Sequence, residues 1–311
     1  MGEWCLIDNK KFIPKACLKD IKYGAKYDGA PAQITNSPFQ FAGGSGTLED
    51  PYLIQTAEQL NAVRQGPKCH YKLIADIDLS KWGNWVPIGG TESYGFLGGG
   101  WNKAEKGAFS FQGSFDGNGH TIKNLALVES EAKEGKAFVG FFGYAKDATI
   151  KNVTFENVYI NIPCLDIDHS QGHIGAVAGS LEGTSTIENV TVKGNIKIES
   201  TVTANGASRV AVVAGGNSYG NVTMKNVHVI ANEGSYLIAN NNTGALAGQL
   251  QGKSVCKNCS SNINVTVNKF FAGGLIGLAA GDQLFVNCHT TGDVKVVAGR
   301  EGRHNDEFRV G

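Results

Sequence analysis

Three cysteines and a histidine towards the C-terminus have the residue types of a zinc site. Cys256-x-x-Cys259 is followed by Cys288-His289, and thiolates and imidazoles are ligands that Zn²⁺ prefers. An internal repeat, described below, favours a different interpretation, because Cys259 and Cys288 stand where its earlier copies have valine. Cys256 likewise stands where the first two copies have isoleucine. Since free cysteine packs as a small hydrophobic residue, we expect buried thiols, with no metal site and no cofactor.

Two aspartates and two histidines form a second group that could do chemistry: Asp166, Asp168, His169 and His173. Carboxylates and imidazoles on the flank of a repetitive β fold can act as acid–base pairs or bind cations, as in polysaccharide lyases and hydrolases. No second, facing row of carboxylates accompanies this loop, and a single loop of alternating acids is more often solvated. A polysaccharide-processing enzyme is therefore the alternative function, with these four residues as its alternative site.

Three of the four tryptophans fall in one glycine-rich stretch, which contains Trp82, Trp85 and Trp101 with Tyr94 and Phe96 among them. The interleaved glycines indicate a loop rather than a core strand. Exposed aromatic rings can stack on sugar rings, which makes the three tryptophans and Tyr94 the candidate ligand-binding site. The same rings can instead close one end of the fold, because aromatic side chains bury the largest apolar area. We favour this second interpretation.

The elements that position these residues come from a repeat that occupies the chain from residue 139 onward. Each copy begins with a five-residue run that closes on glycine, and an Asn followed by an apolar residue comes nine to eleven residues later. Closing glycines are 36, 36, 33 and 29 residues apart and the asparagines 37, 37, 32 and 29, so the two markers stay in step. Such a period is typical of a solenoid, in which a unit buries its apolar face only when a neighbour stacks on it. The runs begin at Val139, Gly175, Ala211, Gly244 and Gly273, and the asparagines are Asn152, Asn189, Asn226, Asn258 and Asn287.

Residues around each asparagine alternate between apolar and polar, as in a half-buried strand. In a chain that winds once per repeat, equivalent residues stack about 4.8 Å apart, so the asparagines form a ladder at a bend. Asn tolerates the left-handed backbone that such a bend requires. We expect Asn124 to be the first member, 28 residues before Asn152, and Asp116 to serve only its own turn. Closing glycines mark a corner where successive backbones approach closely, and the whole pattern predicts a parallel β-helix.

The residues before the repeats are expected to form the end of the fold and an attachment segment. Thr56 can cap the one clear helix, with Gln59 at the reciprocal capping-box position. Residues 1–42 indicate a small β-rich extension, with a hairpin between Trp4–Ile7 and Phe12–Ile13. The predicted organisation is this extension, an entry and capping region over residues 43–138, and repeats over residues 139–311.

The repeats resemble the GLUG motif, which is named for glycine–leucine–glycine-type runs followed by an Asn-containing strand. Gly273-Gly-Leu-Ile-Gly277 with Asn287 is the nearest copy to that pattern. The resemblance implies an all-β, right-handed parallel β-helix, with the helix near Thr56 covering its open first coil. It also implies a setting in bacterial surface proteins, adhesins or the non-catalytic regions of surface proteases, and it supplies no catalytic residue. Five upstream segments resemble the entry segment that precedes GLUG repeats: Gly46–Ile54, Thr56–Leu60, Tyr71–Leu79, Pro87–Gly89 and Phe111–Ile122.

Composition argues against several classes of function. Lys+Arg and Asp+Glu are 28 each, so no basic surplus is available to follow phosphates, and nucleic acid is not an expected partner. No apolar run reaches the length of about 18 residues that a membrane span needs. The N-terminus lacks the charged start and apolar core of a signal peptide. Seven cysteines, an odd number, do not form the disulfide framework of a small secreted domain.

Together these patterns indicate a non-enzymatic structural and adhesive module of an elongated extracellular appendage. Two settings compete: a bacterial surface adhesin, and a phage fibre or virion attachment protein. The virion needs no signal peptide and is assembled with reduced cysteines, so the missing leader favours it. Expected partners are a cell-surface glycan or protein receptor, and other subunits of the appendage or virion through residues 1–42. Because Phe308-Arg-Val-Gly311 aligns with Phe271-Ala-Gly-Gly274, we expect the repeats to continue beyond the C-terminus.

Overall fold

The computed structural model describes residues 4–7, 11–14, 40–91, 108–128, 136–162, 171–200, 208–217, 220–269 and 271–297. Within these ranges one α-helix, α1 (Ala57–Ala62), runs into a 3-10 turn (Val63–Gln65), and the other regular elements are strands. The strands are β1 (Trp4–Ile7), β2 (Lys11–Pro14), β3 (Tyr52–Ile54), β4 (His70–Leu73), β5 (Ile77–Asp78), β6 (Gly90–Thr91), β7 (Ala108–Phe109), β8 (Ser114–Asp116), β9 (Thr121–Val128), β10 (Lys136–Val139), β11 (Phe142–Lys146), β12 (Thr149–Ile162), β13 (Gln171–Ile174), β14 (Ala178–Ser200), β15 (Arg209–Ala211), β16 (Ala214–Gly216), β17 (Gly220–Ala231), β18 (Tyr236–Ala239), β19 (Thr243–Gly244), β20 (Ala247–Gln251), β21 (Val255–Lys257), β22 (Ser260–Ser261), β23 (Val265–Val267), β24 (Ile276–Ala280), β25 (Leu284–Val286), β26 (His289–Thr290) and β27 (Val294–Val296).

Equivalent strands of successive repeats pair in parallel, each residue opposite its counterpart. β12 pairs with β14, so that Thr149 lies opposite Thr186, and β14 pairs with β17, so that Thr186 lies opposite Thr223. The same order continues from β17 to β21 and from β21 to β25. The chain therefore winds once per repeat. The predicted all-β class and parallel β-helix are confirmed.

Alternation along each strand separates the core from the outer surface. Ile150 and Ile187 are fully buried, whereas the neighbouring Lys151 and Glu188 lie on the outside. The first coils have an aromatic interior, in which Phe111 stacks on Phe142 with 4.4 Å between ring centroids. Later coils are filled by aliphatic side chains and by small residues. Because each coil supplies only one layer of core, its apolar side chains are covered only when the next coil stacks on it.

The predicted ladder of asparagines is present and links the coils by side-chain hydrogen bonds. Each Nδ2 donates to the Oδ1 of the preceding coil, at 2.9 Å from Asn189 to Asn152 and 2.8 Å from Asn226 to Asn189. Two further bonds, of 3.1 and 3.2 Å, extend the ladder through Asn258 to Asn287. All five asparagines have φ between 51° and 54°, the left-handed region that Asn tolerates and that the bend imposes.

The prediction that Asn124 is the first member of this ladder is wrong. Asn152 donates instead to Asp116 Oδ1 at 3.0 Å, so Asp116 begins the ladder as well as accepting from Asn118 N in its own turn. Asn124 belongs to a second ladder at the next bend, where it donates to Asp78 and accepts from Asn157. The first side chain of each ladder only accepts a hydrogen bond from the following coil. Aspartate suits this position because its carboxylate accepts hydrogen bonds and carries no N–H group that would need a partner.

The short helix caps the first coil, as predicted. Leu60 and Val63 are completely buried in the common core. Thr56 Oγ1 accepts from Gln59 N at 3.3 Å, while Gln59 Oε1 accepts from Gln55 N, one residue before the usual capping-box partner. None of the helices in the described ranges has the length and apolar character of a membrane span. The hairpin predicted in the N-terminal extension is confirmed, since β1 and β2 pair antiparallel.

Candidate functional site

Trp85, one of the predicted ligand-binding residues, lies in the interior and is only 1% exposed. Its ring stacks on Phe141 with 5.1 Å between centroids, and its Nε1 donates to the Phe141 carbonyl at 3.1 Å. The guanidinium of Arg64 lies 5.8 Å from the ring centroid. Because no face of the ring is open to solvent, Trp85 cannot stack on a sugar and leaves the candidate binding set. Its position matches the interpretation that these aromatic rings close one end of the fold.

Trp82 is half-buried and lies 6.0 Å from Trp85 between ring centroids. Tyr94 and Trp101 lie outside the described residues, so their sugar-binding role stays a prediction. The tryptophans that can be placed therefore extend the aromatic interior of the first coils towards the surface.

The predicted close approach at the closing glycines produces a feature that the sequence did not reveal. Each glycine-closed run turns the chain inward, so that Ala176 and Val177 at the apex are completely buried. The chain then reverses direction, and the closing glycine lies beside the strand that precedes the turn. A Cβ on Gly179 would lie 2.8 Å from the His173 oxygen and 2.7 Å from the Val139 nitrogen, so only glycine allows this approach.

Outward side chains on the two sides of these turns face each other along a line that we call the crease. Its two columns are Phe138, His173, Arg209 and Asn242 on one side and Tyr144, Ser180, Gly216 and Gln249 on the other. Side-chain contacts cross it at both ends. The rings of Phe138 and Tyr144 are 5.2 Å apart, and Asn242 Nδ2 donates to Gln249 Oε1 at 3.4 Å.

The middle of the crease is polar and enclosed. His173 is 1% exposed, and Arg209 and Asn242 are also buried. Ser180 Oγ donates to Glu182 Oε1 at 3.0 Å, and this carboxylate is buried as well. An imidazole, a guanidinium and a carboxylate thus share a strip with little access to water, where charged groups are stable only when paired.

Burial, together with the negative charges of Glu182 and Asp147, raises the pKa of the Tyr144 phenol well above its ordinary value. The phenol therefore remains protonated and can donate a hydrogen bond but does not act as a base near neutral pH. The crease has the residue types of acid–base chemistry, yet these residues are packed against one another. Its geometry favours holding the turns of successive coils together.

Of the predicted loop site, only His173 can be placed. It lies in β13 with its ring edge-to-face against Phe138, 5.1 Å between centroids, and so is part of the crease wall. Asp166, Asp168 and His169 lie outside the described residues. The one member that the structure places is therefore enclosed, not presented to solvent as the loop-site prediction required.

Two of the three C-terminal cysteines pack as core residues, as predicted, whereas Cys288 is only half-buried against that core. Cys256 lies between Met224 and Phe285 in the neighbouring coils, and Cys256 and Cys259 are fully buried. Burial is the main cause that raises the pKa of Cys259 to about 11, and it raises that of Cys256 further. The thiolate form that metals require is thus disfavoured. Across the residues whose placement is described, no three or more His, Cys, Asp or Glu side chains converge as a metal site.

Sequence reasoning missed the buried polar residues of the crease, because their pattern is that of an exposed strand. Serine and glutamine directly follow the closing glycines at Ser180 and Gln249, where an exposed strand position would be assumed. The same column begins with Tyr144. Only the inward turn of the chain, which is not visible in the sequence, shows that this column is enclosed.

Two relatives match about half of the chain in sequence. The chain is 31% identical over 156 residues to a provisionally named Gly-rich membrane protein of Evansella cellulosilytica, covering 49% of this chain and 16% of that protein. It is also 31% identical over 177 residues to the halomucin of Haloquadratum walsbyi, covering 55% of this chain and 2% of halomucin. The chain thus spans only a small part of the length of these relatives.

A solved structure, provisionally assigned as an immunoglobulin A1 protease of Bacteroides ovatus, resembles the chain with a TM-score of 0.47 and 19% identity. The match covers 86% of this chain and 84% of that one. The family model of the GLUG motif matches residues 170–197, a segment that includes β13, the inward turn and most of β14. The resemblance to the GLUG motif is therefore confirmed, and residues 170–197 are one copy of it within a parallel β-helix.

Proposed function

We propose that this chain is a non-enzymatic structural and adhesive β-helix module of an elongated extracellular appendage. The observation that carries the proposal is the unbroken ladder from Asp116 to Asn287, which bonds each coil to the next. Every coil adds about 4.8 Å of length along the axis. Such a stack makes a stiff rod that grows by repetition, and its outer faces are free to bind a partner.

The relatives support a setting at the cell surface. One is named a Gly-rich membrane protein and the other a halomucin, and in both the matching part is a small share of the whole. A module that is repeated within a long surface protein would match only a small fraction of that protein's length. Both relatives come from cellular organisms, which favours a cell surface over a virion.

Retention on polysaccharides and cells, measured together with cleavage, tests the proposal. Beads carrying the purified chain are mixed with acidic and neutral polysaccharides and with intact bacterial or archaeal cells, and new reducing ends are assayed in the supernatant. We expect retention on at least one of these surfaces without any increase in reducing ends. Beads carrying the heat-unfolded chain are the control.

Two results would contradict the proposal. An increase in reducing ends that the heat-unfolded chain does not produce would establish the polysaccharide-processing alternative. Absence of retention on every polysaccharide and cell would remove the adhesive role. Antibody labelling of intact source cells tests the location separately, since a surface module is labelled without permeabilising them.

A further inference from the structure

The outer wall of the helix carries an exposed strip of alternating aromatic and cationic side chains. Tyr159, Lys197 and Tyr236 are equivalent residues of three successive coils, because Lys197 lies opposite Tyr159 in the β12–β14 pair and opposite Tyr236 in the β14–β18 pair. Tyr159 is 43% exposed, Lys197 is exposed and Tyr236 is partly exposed. Their inward neighbours fill the core, so the two tyrosines are not needed there.

The spacing along this strip follows from the stacking of the coils. Neighbouring coils are about 4.8 Å apart, so the two tyrosines are about 10 Å apart with the lysine midway between them. A parallel column two residues further along the strands contains Asn161 and Glu199, which can exchange hydrogen bonds with a ligand lying on the strip. Burial, then the charge of Glu199 and the neighbouring Tyr159, raises the pKa of Tyr236, whose hydroxyl therefore stays a donor.

The charge of Lys197 is uncommitted, unlike that of two lysines on the neighbouring faces of the helix. Lys193 pairs with Glu156 at 3.3 Å and Lys225 pairs with Glu188 at 2.6 Å. Among the residues that the structure describes, Lys197 forms no such ion pair. An ammonium group between two aromatic rings is thus available to an anion from outside.

We propose that Tyr159, Lys197 and Tyr236 bind an extended, β-linked anionic polysaccharide in which a uronic acid alternates with a neutral hexosamine. The C–H faces of pyranose rings pack on aromatic rings, and a carboxylate pairs with an ammonium group. In such a chain, equivalent sugars recur every second residue, at close to the distance between every second coil. Hexosamine rings therefore lie on the two tyrosines while the uronate between them contacts Lys197.

Other occupants fit the strip less well. A neutral glucan would cover Lys197 without supplying a partner, and desolvating an unpaired charge is costly. The inference rests on the proposed adhesive function, for which it names the class of ligand. It also moves the candidate binding site from the aromatic loop around Trp82 to the side of the helix.

Binding of a hyaluronan decasaccharide to the full chain, measured by calorimetry at low salt, tests the site. A cello-oligosaccharide of equal length is the neutral comparison. We expect Lys197→Gln to weaken hyaluronan binding about fivefold, the scale of an exposed ion pair, and Tyr159→Ala to weaken it about threefold to tenfold. Lys257→Gln removes an equally exposed charge from a different face and is expected to leave binding unchanged.

The outcomes separate this inference from the proposed function. Equal hyaluronan binding by the Lys197, Tyr159 and control variants would overturn the site while leaving adhesion intact. Equally tight binding of the cello-oligosaccharide would overturn the anionic specificity. If neither glycan binds but the beads still retain cells, the inference is wrong and adhesion acts through another receptor. If the beads also fail to retain cells and polysaccharides, both this inference and the proposed adhesive function are wrong. Thermal unfolding of each variant confirms that these surface changes leave the fold intact.

Discussion

Replacing Asn189 by alanine tests whether the asparagine ladder holds the coils together. Asn189 lies inside the ladder, where its Nδ2 donates to Asn152 at 2.9 Å and its Oδ1 accepts from Asn226 at 2.8 Å. Its backbone φ is 53°. Alanine removes both hydrogen bonds and places a residue without a compensating amide in the left-handed region.

The expected loss in the free energy of unfolding combines these two effects. Each hydrogen bond contributes about 0.5–1.5 kcal/mol net, and the lower half of this range applies because water can reach the partners left behind. The left-handed backbone costs alanine about 1 kcal/mol relative to asparagine. The sum for Asn189→Ala is therefore about 2–3 kcal/mol. Asn287→Ala shares the backbone cost, at φ 51°, but removes one described bond, so we expect about 1.5–2 kcal/mol.

Urea unfolding followed by far-UV circular dichroism measures both losses, provided that the slope of free energy against urea is the same in all variants. Asn189→Gly separates the causes, because glycine accepts the positive φ and restores no hydrogen bond. We expect it to recover about 1 kcal/mol at most relative to Asn189→Ala, since glycine also loses more chain entropy on folding. Full recovery by glycine would refute the reasoning, since the ladder bonds would then contribute nothing. Equal losses at Asn189 and Asn287 would refute it as well.

Three further results are expected. Gly179→Ala places a Cβ 2.6 Å from the Gly143 oxygen, so we expect a loss of about 3 kcal/mol or an insoluble chain, read from soluble yield and urea unfolding. Trp85→Ala opens a cavity in the aromatic interior and should cost about 3–5 kcal/mol in the same assay, whereas Trp82→Ala should cost less because Trp82 is only half-buried. Cys259, with its pKa raised to about 11 by burial, should resist maleimide labelling at pH 8 in the native chain, and the half-buried Cys288 should react before it, as peptide mass spectrometry would show. Because the folded-state pKa of Cys259 exceeds the unfolded value of about 8.5, its contribution to stability is complete below pH 8.5 and is lost as the pH rises towards 11.

The period of the repeat was enough to predict the fold. The closing glycine and the asparagine recur with the same spacing, and a chain that winds once per repeat explains this. The period was not enough to place every asparagine. The first coils have two bends that accept an Asn followed by an apolar residue, and Asn157 repeats the signature of Asn152 five residues later. Spacing alone therefore could not decide to which bend Asn124 belongs. The register of β9 against β12 settles it, by placing Leu125 opposite Val158.

The crease could not be predicted for a different physical reason. Polar residues such as His173, Arg209 and Gln249 normally indicate a solvated strand face. Here they are enclosed because the chain turns inward between them, which depends on close backbone approach at glycine and on the packing of the apex. Both conditions involve residues a full repeat apart, as the contact of Gly179 with the Val139 nitrogen shows. Local patterns carry no information about such contacts.

Stacking also decides where a binding site on this fold should be sought. In the sequence, Tyr159, Lys197 and Tyr236 are 38 and 39 residues apart and show no motif. In the structure they are successive rungs of one column, because a separation of about one repeat becomes a distance of about 4.8 Å. Clusters that are dense in sequence, such as Trp82 and Trp85, lie at an end of the helix and pack inward. A ligand that is itself a linear repeat is therefore complementary to a column of the wall, where side chains of successive coils recur at the repeat distance of the ligand.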